Sequence, residues 1–249
     1  MDTNSNIIPE AMLDIFELQR VTTPHALSES LRVRFEVYCQ ELGFEHAQSF
    51  PDAQEHDAYD VHADHVILIH RPTGVTAGSV RMIDSRAVGT QGLPIFAHAA
   101  IDPTCPIDPL RHSCCEVSRL AVRPQFRRHG QVPSEIACLG KEWGEAWDAD
   151  RELFRYIGPL LFVVGLTLWL DSDTDAAFIL ARPALVRRMA HWGVCFDPAG
   201  PEISFRGIRQ PFCFNHQNVT LVPPHLWNMI RRMRLLISDK KLELCPSYH

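Results

Sequence analysis

The chain has 249 residues, of which 46% are hydrophobic and 22% charged, and its formal net charge is −6. These values are typical of a globular protein with a core. The acidic balance argues against nucleic acid as a main partner, because that binding depends on neutralising phosphates. Eight cysteines occur without a CxxC pair, and the polar N-terminus shows no secretion signal. We therefore expect reduced thiols and a cytoplasmic protein.

The first predicted element is a helix over residues 23–42. Thr23 and Pro24 are typical of a helix start, apolar residues follow at helical spacing, and a glycine ends the run. Within this helix Arg34 and Tyr38 would lie one turn apart on the same face. The helix is therefore expected to bring a guanidinium and a phenol to one place.

A loop and a hairpin are predicted next. Residues 45–64 have no clean periodicity but contain many Asp, Glu and His residues, which is typical of a loop that lines a site. Strands at 66–69 and 75–83 flank a Pro-Thr-Gly turn and form a hairpin, with Arg81 near its end. The Pro and Gly content of residues 84–113 predicts an irregular connection with one short helix.

The second half of the chain alternates strands and helices. Residues 116–122 are predicted as a strand, and a helix is expected from 134 to about 149. Residues 156–170 are almost continuously apolar, but the stretch is shorter than the ~20 residues of a membrane span and contains glycine and proline. We therefore predict a buried helix there and no integral membrane span.

The elements together predict an α/β or α+β architecture, a mixed central sheet flanked by helices. The remaining elements are a strand at 176–180, a helix at 183–192, strands at 194–197 and 203–214, and a terminal helix at 223–236. The expected organisation is an N-terminal extension, residues 1–22; one domain, residues 23–222; and a C-terminal helix and tail, residues 223–249.

The strand at 116–122 is followed by an arginine-rich turn and then by the predicted helix. Such a unit points unpaired backbone N–H groups and the positive end of the helix dipole at one spot, where a phosphate would fit. Glu116, in the strand, could act as a base. The alternative is an ordinary connection with solvated arginines. The turn carries Arg123, Arg127, Arg128 and Gly130.

This unit resembles the acyl-donor site of the GNAT acyltransferases, whose motif is Gln or Arg, two residues, Gly, one residue, then Gly or Ala. Arg127, Gly130 and Val132 take these positions, and the valine departs from the usual small residue. The acyl-homoserine-lactone synthases, which share the GNAT fold, usually have Phe and Trp where this chain has Tyr38 and Phe44. The set that resembles this family is Arg34, Tyr38, Phe44, Asp57, Asp60, Arg81, Glu116 and Arg119.

A closer resemblance is to the N-acyl amino acid synthases and to the acyltransferases associated with PEP-CTERM/exosortase systems. It covers about residues 25–215 and implies a GNAT-like fold. In that fold two neighbouring parallel strands splay apart to admit a pantetheine arm, and here these would be residues 117–122 and 176–180. The resemblance rests on four phrases, at residues 37–44, 55–60, 116–122 and 207–211.

The resemblance implies an N-acyltransferase without a metal, which moves a fatty acyl group from an acyl-carrier-protein or CoA thioester to the amine of an amino acid or similar small molecule. The implied catalytic residues are Glu116 as general base, Arg119, and Leu120, near which a backbone N–H would face the oxyanion. Substrate binding is implied for Arg34, Tyr38, Phe44, Asp57, Asp60 and Arg81. Donor binding is implied for Val122, Arg123, Arg127, Arg128 and Gly130.

Structural roles are open alternatives for several of these residues. Glu116 could form an ion pair with a neighbouring arginine. Asp57 and Asp60 could belong to a carboxylate–arginine network that pins their loop to the sheet. Arg81 and Arg119 could instead bind the carboxylate of an acceptor, since a planar guanidinium makes bidentate contacts.

Three other functions are open on the sequence. A cysteine nucleophile, Cys114 or Cys115 with His112, would have its groups poorly placed on one strand. A protein on the same fold could also bind an acyl thioester or acyl lipid without catalysis. A metal site could use a cluster that lacks any recognised ligand spacing, namely His56, Asp57, Asp60, His62, Asp64 and His65.

Overall fold

A computed structural model describes residues 8–127 and 141–242. Its eight strands are, in chain order, β1 Phe16–Arg20, β2 Ala63–His70, β3 Val75–Asp84, β4 Cys114–Val122, β5 Ala176–Ala181, β6 Asp197–Pro198, β7 Ile203–Ser204 and β8 Ile208–Asn215. They form one sheet in the order β1-β2-β3-β4-β5-β8-β6, with β7 paired to β8. Neighbours are antiparallel except β4 and β5, which run parallel. The mixed sheet expected from the sequence is confirmed.

Helices cover both faces of this sheet. A π-helical turn, Glu36–Glu41, continues the second helix. The fifth and eighth helices pack on one face in the main core cluster, and the second helix packs on the other face. The described helices are, in chain order, α1 Met12–Ile15, α2 Pro24–Phe35, α3 Ser85–Val88, α4 Lys141–Asp150, α5 Ile157–Asp171, α6 Pro183–Ala190, α7 His216–Val219 and α8 Pro224–Leu242.

The start of α2 confirms the helix predicted from residue 23. The hydroxyl of Thr23 caps the helix by accepting a hydrogen bond from the N–H of Ala26 at 3.2 Å, and Pro24 takes the first helical position. The π-helical turn then runs to residue 41. Gly43 follows with a φ of +59°, a conformation that glycine adopts without a steric penalty.

The apolar helix predicted at 156–170 is α5. Almost all of its side chains are buried, and it lies so close to β4 that a Cβ added to Gly165 would come within 2.5 Å of Cγ1 of Val117. In the described residues the stretch Trp147–Asp171 is long and apolar enough to cross a membrane, but 72% of its apolar window is buried inside the protein. Such burial is that of a core helix.

The two faces of β4 have different surroundings because side chains alternate along a strand. Cys115 and Val117 face the main core with α5. Cys114 belongs to a smaller cluster on the other face, together with Phe178 and the irregular connection before β4. Glu116 lies on this second face, which carries the candidate site.

A gap separates the carboxyl ends of β4 and β5. The two strands pair only at their first three residues, and the last pair is Glu116 with Phe178. Beyond it β4 continues to Val122 and β5 continues to Ala181 without further pairing. The splayed parallel strands implied by the resemblance are therefore present in the fold.

A β-bulge lies in β4 at the edge of this gap. Ser118 pairs with Arg81 of β3, and Ala121 pairs with Ser79, so two residues of β4 stand opposite one residue of β3. Arg119, the first of these two, has a φ of +51°. A bulge leaves an extra residue outside the ladder and re-aims nearby side chains.

The strands near the C-terminus differ from the prediction. The strand expected at 194–197 is wrong except for its last residue, because β6 contains only Asp197–Pro198. The strand expected at 203–214 is broken into β7 and β8 by a tight turn. Arg206 and Gly207 in this turn have φ values of +53° and +89°, the left-handed conformation that tight hairpin turns require.

The sequence patterns do not predict β1 or α7. Within the segment expected as an N-terminal extension, β1 pairs antiparallel with β2, with Leu18 opposite Leu68. Its five residues are too few to show a clear period. The four-residue α7 is defined by a reciprocal cap between Asn215 and Asn218, which only the folded backbone makes visible.

Candidate functional site

The gap between β4 and β5 opens beside Glu116. The side chain is buried, and its Oε2 accepts a hydrogen bond of 2.6 Å from the backbone N–H of Ile95. Burial raises the pKa of this carboxyl, although the N–H of Ile95 and the charge of Arg81 act in the opposite direction. Within the described part of the chain Glu116 forms no ion pair, so the alternative of pairing with an arginine does not describe it.

A buried network of arginines and carboxylates lies on the same face as Glu116. Arg34 of α2 donates from Nε to Glu55 and from Nη1 to Asp60, both at 2.5 Å, and all three residues are at least nine-tenths buried. Burial disfavours the charge on Arg34, but the two carboxylates outweigh it and raise the pKa of the guanidinium. Arg34 is therefore held as a buried cation between two anions.

Arg81 of β3 lies at the centre of this network. Its Nη1 donates to one oxygen of Asp57 and one of Asp60, each at 2.6 Å, and its Nη2 donates to the second oxygen of Asp57 at 2.8 Å. Burial opposes the ionisation of both carboxyls, but their arginine partners keep both pKa values below the usual range. Asp57 and Asp60 are therefore ionised at neutral pH.

Arg119 completes the network from the bulge. Its Nε donates to Glu55 at 3.3 Å and its Nη2 to Asp57 at 3.1 Å, and the side chain remains about one-quarter exposed. Three arginines are thus balanced by three carboxylates. Asp57 and Asp60 therefore belong to a carboxylate–arginine network, which was one of the alternatives open on the sequence. The carboxylates of this network also bind the guanidinium groups of Arg81 and Arg119, which the other alternative assigned to an acceptor carboxylate.

Tyr38 links the π-helical turn to the bulge. Its hydroxyl donates a hydrogen bond of 2.8 Å to the backbone carbonyl of Leu120. Its ring is stacked with Phe44 at a centroid distance of 6.5 Å, and the guanidinium of Arg119 lies 5.7 Å from its centre. The two aromatic residues predicted for the site therefore form one wall beside the gap.

The turn between β7 and β8 adds residues that the sequence does not indicate. Arg206 forms an ion pair with Glu45 and lies 5.7 Å from the centre of the Phe44 ring. Phe205 stacks on His98 with 4.2 Å between ring centroids. The turn therefore connects the loop after α2 with the irregular connection before β4.

The arginines after β4 are partly occupied by the protein itself. Arg123 is buried and forms an ion pair of 2.9 Å with Glu36. Arg127 is more exposed, although it pairs with Glu41 and donates to the carbonyl of Val122 at 2.9 Å. The rest of the predicted donor site lies outside the described residues, namely Arg128, Gly130 and Val132, together with the start of the helix expected from 134.

The residues of the hypothetical metal cluster do not converge on one point. Asp57 and Asp60 belong to the arginine network, and Asp64 pairs with Arg20 at 2.5 Å. His56 bonds a carbonyl of its own loop. Among the described residues no group of three or more His, Cys, Asp or Glu side chains is arranged to hold a metal ion.

The thiols that the cysteine-nucleophile hypothesis requires are buried and protonated. Burial raises the pKa of Cys114 to about 12, and it raises the pKa of Cys115 as well. The thiol of Cys114 donates to the backbone carbonyl of His112 rather than to its ring. A nucleophilic cysteine needs its thiolate, so these positions lack the activation that the hypothesis requires.

A mostly apolar cleft of about 550 Å³ lies within the irregular connection before β4. Phe96 is one of its lining residues, and its ring packs against Phe178 of β5 at a centroid distance of 5.6 Å. Phe96 directly follows Ile95, whose N–H binds Glu116. One loop therefore shapes both the cleft and the surroundings of Glu116.

Many solved structures are similar to this fold, and three of them illustrate the likeness. The CoA-dependent acyl-homoserine lactone synthase BjaI, with MTA, shares 16% identity over 87% of this chain and 90% of its own, with a TM-score of 0.56. FeeM, an N-acyl amino acid synthase from uncultured soil microbes, shares 16% identity over 83% and 94%, with a TM-score of 0.51. TofI, in a ternary complex with an inhibitor and MTA, shares 15% identity over 84% and 99%, with a TM-score of 0.54.

The chain has the GNAT fold. Residues 33–134 match the family described as the acetyltransferase (GNAT) domain. The synthases named above are acyltransferases of GNAT type, and at such low identity their similarity establishes the shared fold. No curated protein sequence matches the chain.

Within this GNAT fold most of the predicted site residues come together. Glu116 and the bulge at Arg119 and Leu120 lie on β4 at the gap, and the predicted loop and helix residues surround them. Among the site residues that the sequence analysis did not predict, Glu55 could have been found from its position, because it lies in the same acidic loop as Asp57. The residues that reasoning from sequence missed are Glu45, Glu55, Ile95 and Arg206.

Proposed function

We propose that the protein is an N-acyltransferase that moves a fatty acyl group from a thioester donor to the amine of an amino acid or similar small molecule. The gap between β4 and β5 carries this proposal. Beyond Glu116 the facing edges of the two strands do not pair with each other. A pantetheine arm has amide groups that would bond such an edge, and it would bring its thioester to the bulge.

The groups around the gap suit the chemistry. Glu116 would accept a proton from the acceptor's ammonium group, and its raised pKa brings the carboxyl closer to that task. The free amine nitrogen then bonds to the thioester carbonyl carbon, and the carbon–sulfur bond breaks. A backbone N–H near Leu120, in the bulge, would donate to the oxyanion. The leaving thiolate takes up a proton and departs as the thiol.

The arginine network would give the acceptor pocket its shape. Arg34 and Arg81 hold Asp60 and Asp57 in place through buried, charged hydrogen bonds. Asp57 is the more exposed carboxylate of the pair, with a quarter of its side chain accessible, and could meet the acceptor's ammonium group. Tyr38 and Phe44 would supply an apolar wall.

The donor is a phosphopantetheine thioester, on an acyl-carrier protein or on CoA. The resemblance of the sequence favours a carrier protein, and BjaI is a CoA-dependent synthase. Arg127, the most exposed arginine of the described turn after β4, would meet the phosphate. We place the reaction in the cytoplasm, and the four phrases at 37–44, 55–60, 116–122 and 207–211 support an association with PEP-CTERM/exosortase systems.

Product analysis with a base-deficient variant tests the function. Lipid extracts of cells expressing the parent protein should contain an N-acylated amino acid that is absent with Glu116→Gln. Purified parent protein should release thiol from acyl-CoA or acyl-carrier protein when amines are added, and the variant should do so about 10²- to 10⁴-fold more slowly. Glu152→Gln, at an exposed residue, is the control and should match the parent.

Saturable binding of the thioester without thiol release would contradict the enzyme and indicate an acyl-thioester binding protein. Equal thiol release by the parent and Glu116→Gln would remove Glu116 as the base while leaving the activity intact. Comparing kcat/KM for the two donors identifies which carrier the protein uses.

A further inference from the structure

Three arginines lie at the end of the sheet where the gap opens. Arg182 directly follows β5, and Arg209 is the second residue of β8. The pair of Ala181 with Gln210 places these two arginines beside each other across neighbouring strands. Arg206 lies in the turn that precedes β8. The register therefore concentrates positive charge beside the gap.

Arg209 lies on the same face of the sheet as Glu116. Side chains alternate along β8, so Arg209 shares its face with Cys213. Cys213 packs in the smaller cluster with Phe178, and Phe178 pairs with Glu116 across β4 and β5. Arg209 and the proposed base thus lie on one face of the sheet.

Arg209 and the exposed Arg182 beside it have no counter-ion in the part of the chain that the structure describes, unlike the nearby Arg206 and Arg119. Arg206 is paired with Glu45, and Arg119 with Glu55 and Asp57. Among the described residues the half-buried guanidinium of Arg209 bonds only the carbonyl of the preceding residue, at 3.1 Å. Its pKa is lowered by burial and by the charges of Arg182 and Arg206, whereas Tyr38 acts in the opposite direction.

We propose that Arg209, assisted by Arg182, binds the carboxylate of the acceptor and makes the enzyme select amines that carry one. This inference rests on the proposed acyl transfer. A guanidinium binds a carboxylate through two parallel hydrogen bonds, and a ligand anion would relieve the repulsion among the three arginines. Arg209 would make no such contact with an amine that lacks a carboxylate and would contribute little to its binding.

The position of Arg209 favours the acceptor over the donor as the source of the anion. The ring of Phe44 lies 5.7 Å from Arg206, in the turn before β8, and stacks on Tyr38. Tyr38 in turn donates to the carbonyl of Leu120, so this group of arginines lies close to the bulge. The thioester would lie at this bulge. An amino acid's carboxylate is two bonds from its attacking nitrogen, whereas the donor's phosphate lies a whole pantetheine arm from the thioester.

Matched acceptor pairs test the assignment. Thiol release from decanoyl-CoA is measured with tyrosine and tyramine, leucine and isopentylamine, and other amino acids with their decarboxylated amines. Arg209→Gln should lower kcat/KM for the preferred amino acid about 10- to 100-fold, as expected for a hydrogen bond to a charged group. Its kcat/KM for the matching amine should stay within about twofold of the parent. Arg209→Lys should recover part of the loss, and Arg231→Gln, at an exposed residue of α8, should match the parent.

An equal loss for both members of each pair, or no loss for either, would overturn the assignment. A donor role is tested with decanoyl-pantetheine, which lacks the phosphate. If Arg209→Gln raises KM for decanoyl-CoA but not for decanoyl-pantetheine, the arginine binds the donor and the proposal is wrong.

A binding measurement separates this site from the proposed function. N-decanoyl-tyrosine and N-decanoyl-tyramine are titrated into the parent and Arg209→Gln by calorimetry. The parent should bind the carboxylate ligand at least tenfold more tightly, and the variant should bind both alike. If this preference holds without any thiol release, the carboxylate site is supported and the proposed transferase function is contradicted. If thiol is released but neither binding nor turnover depends on Arg209, the carboxylate site is contradicted and the proposed transferase function is supported.

Discussion

Glu116 combines two properties that single residues of a stable core seldom share. It is buried among apolar groups, which disfavours its charge, and in the proposed reaction it accepts a proton from the acceptor's ammonium group. The carboxylate is therefore kept at a cost to folding. We expect removal of the charge to lower the activity while it raises the stability.

Glu116→Gln should lose activity but gain thermal stability at high pH. Because the folded-state pKa is raised, the native protein holds this proton more tightly than the unfolded chain, and stability falls as pH rises above the unfolded value of about 4.3. Glutamine can still accept the N–H of Ile95. The difference in melting temperature, variant minus parent, should therefore increase from pH 5 to pH 8. A difference that does not change with pH would contradict the raised pKa.

Asp60 is the residue on which the arginine network most depends, because it accepts from both Arg34 and Arg81. Asp60→Asn leaves these buried cations incompletely paired and should lower the free energy of unfolding by about 3–5 kcal/mol. Asp64→Asn is the matched control, since its pair with Arg20 is partly exposed and should cost at most about 1 kcal/mol. Urea unfolding measures both. Similar small losses would mean that the network contributes little to stability.

At the scale of elements, the approach of α5 to the sheet holds β4 beneath the site. The contact of Gly165 with Val117 leaves no room for a side chain, and Val117 directly follows Glu116. Packing on one face of β4 is thereby coupled to the position of the gap on the other. A larger residue in α5 should disturb both.

Gly165→Ala should destabilise the protein by about 1–3 kcal/mol, because the added methyl group overpacks a filled core. Gly158→Ala in the same helix is the matched control. Apart from its chain neighbours and the backbone of its own helix, no atom of the described residues lies within 4 Å of the added Cβ, so the better helix propensity of alanine should leave stability equal or raise it by up to about 1 kcal/mol. Thermal unfolding compares the two variants. Equal effects would show that α5 can shift away from Val117 without cost.

At the scale of the whole molecule, buried titratable groups predict a two-step loss of stability in acid. Burial lowers the pKa of His65, close to Arg34 and Arg81, and of His70, which contacts Asp150. Their contribution is complete above the unfolded value of about 6.5 and is lost as pH falls below it. The lowered pKa values of Asp57 and Asp60 add a second loss below about pH 4.

Urea midpoints measured from pH 8 to pH 3 test this profile. We expect a first decline below about pH 6.5 and a steeper one below about pH 4. His65→Gln should weaken the first decline, whereas His25→Gln, at an exposed residue, should leave it unchanged. Because Glu116 changes stability in the opposite direction over this range, the deciding quantity is the difference in midpoint between the parent and His65→Gln, and a difference that stays constant from pH 8 to pH 5 would contradict the histidine contribution.

The sequence by itself determined most of the elements that frame the site. The start of α2, the β2–β3 hairpin, the central strand and the apolar α5 follow from caps, turn residues and periodicity, which depend on neighbouring residues. The four phrases also predicted the GNAT fold and the residues that gather around Glu116. Short elements without a clear period, such as β1 and β6, escaped because pairing with distant strands defines them.

Only the tertiary structure decided how these residues are paired. The sequence leaves open whether Arg81 and Arg119 pair with carboxylates or bind an acceptor; in the folded protein carboxylates of the loop pair with both, while Arg209 has no such partner among the described residues. The length of the β4–β5 pairing, the bulge and the bond of Ile95 to Glu116 likewise depend on the register between distant segments. Charges buried together must balance locally, and that balance is set when the segments meet.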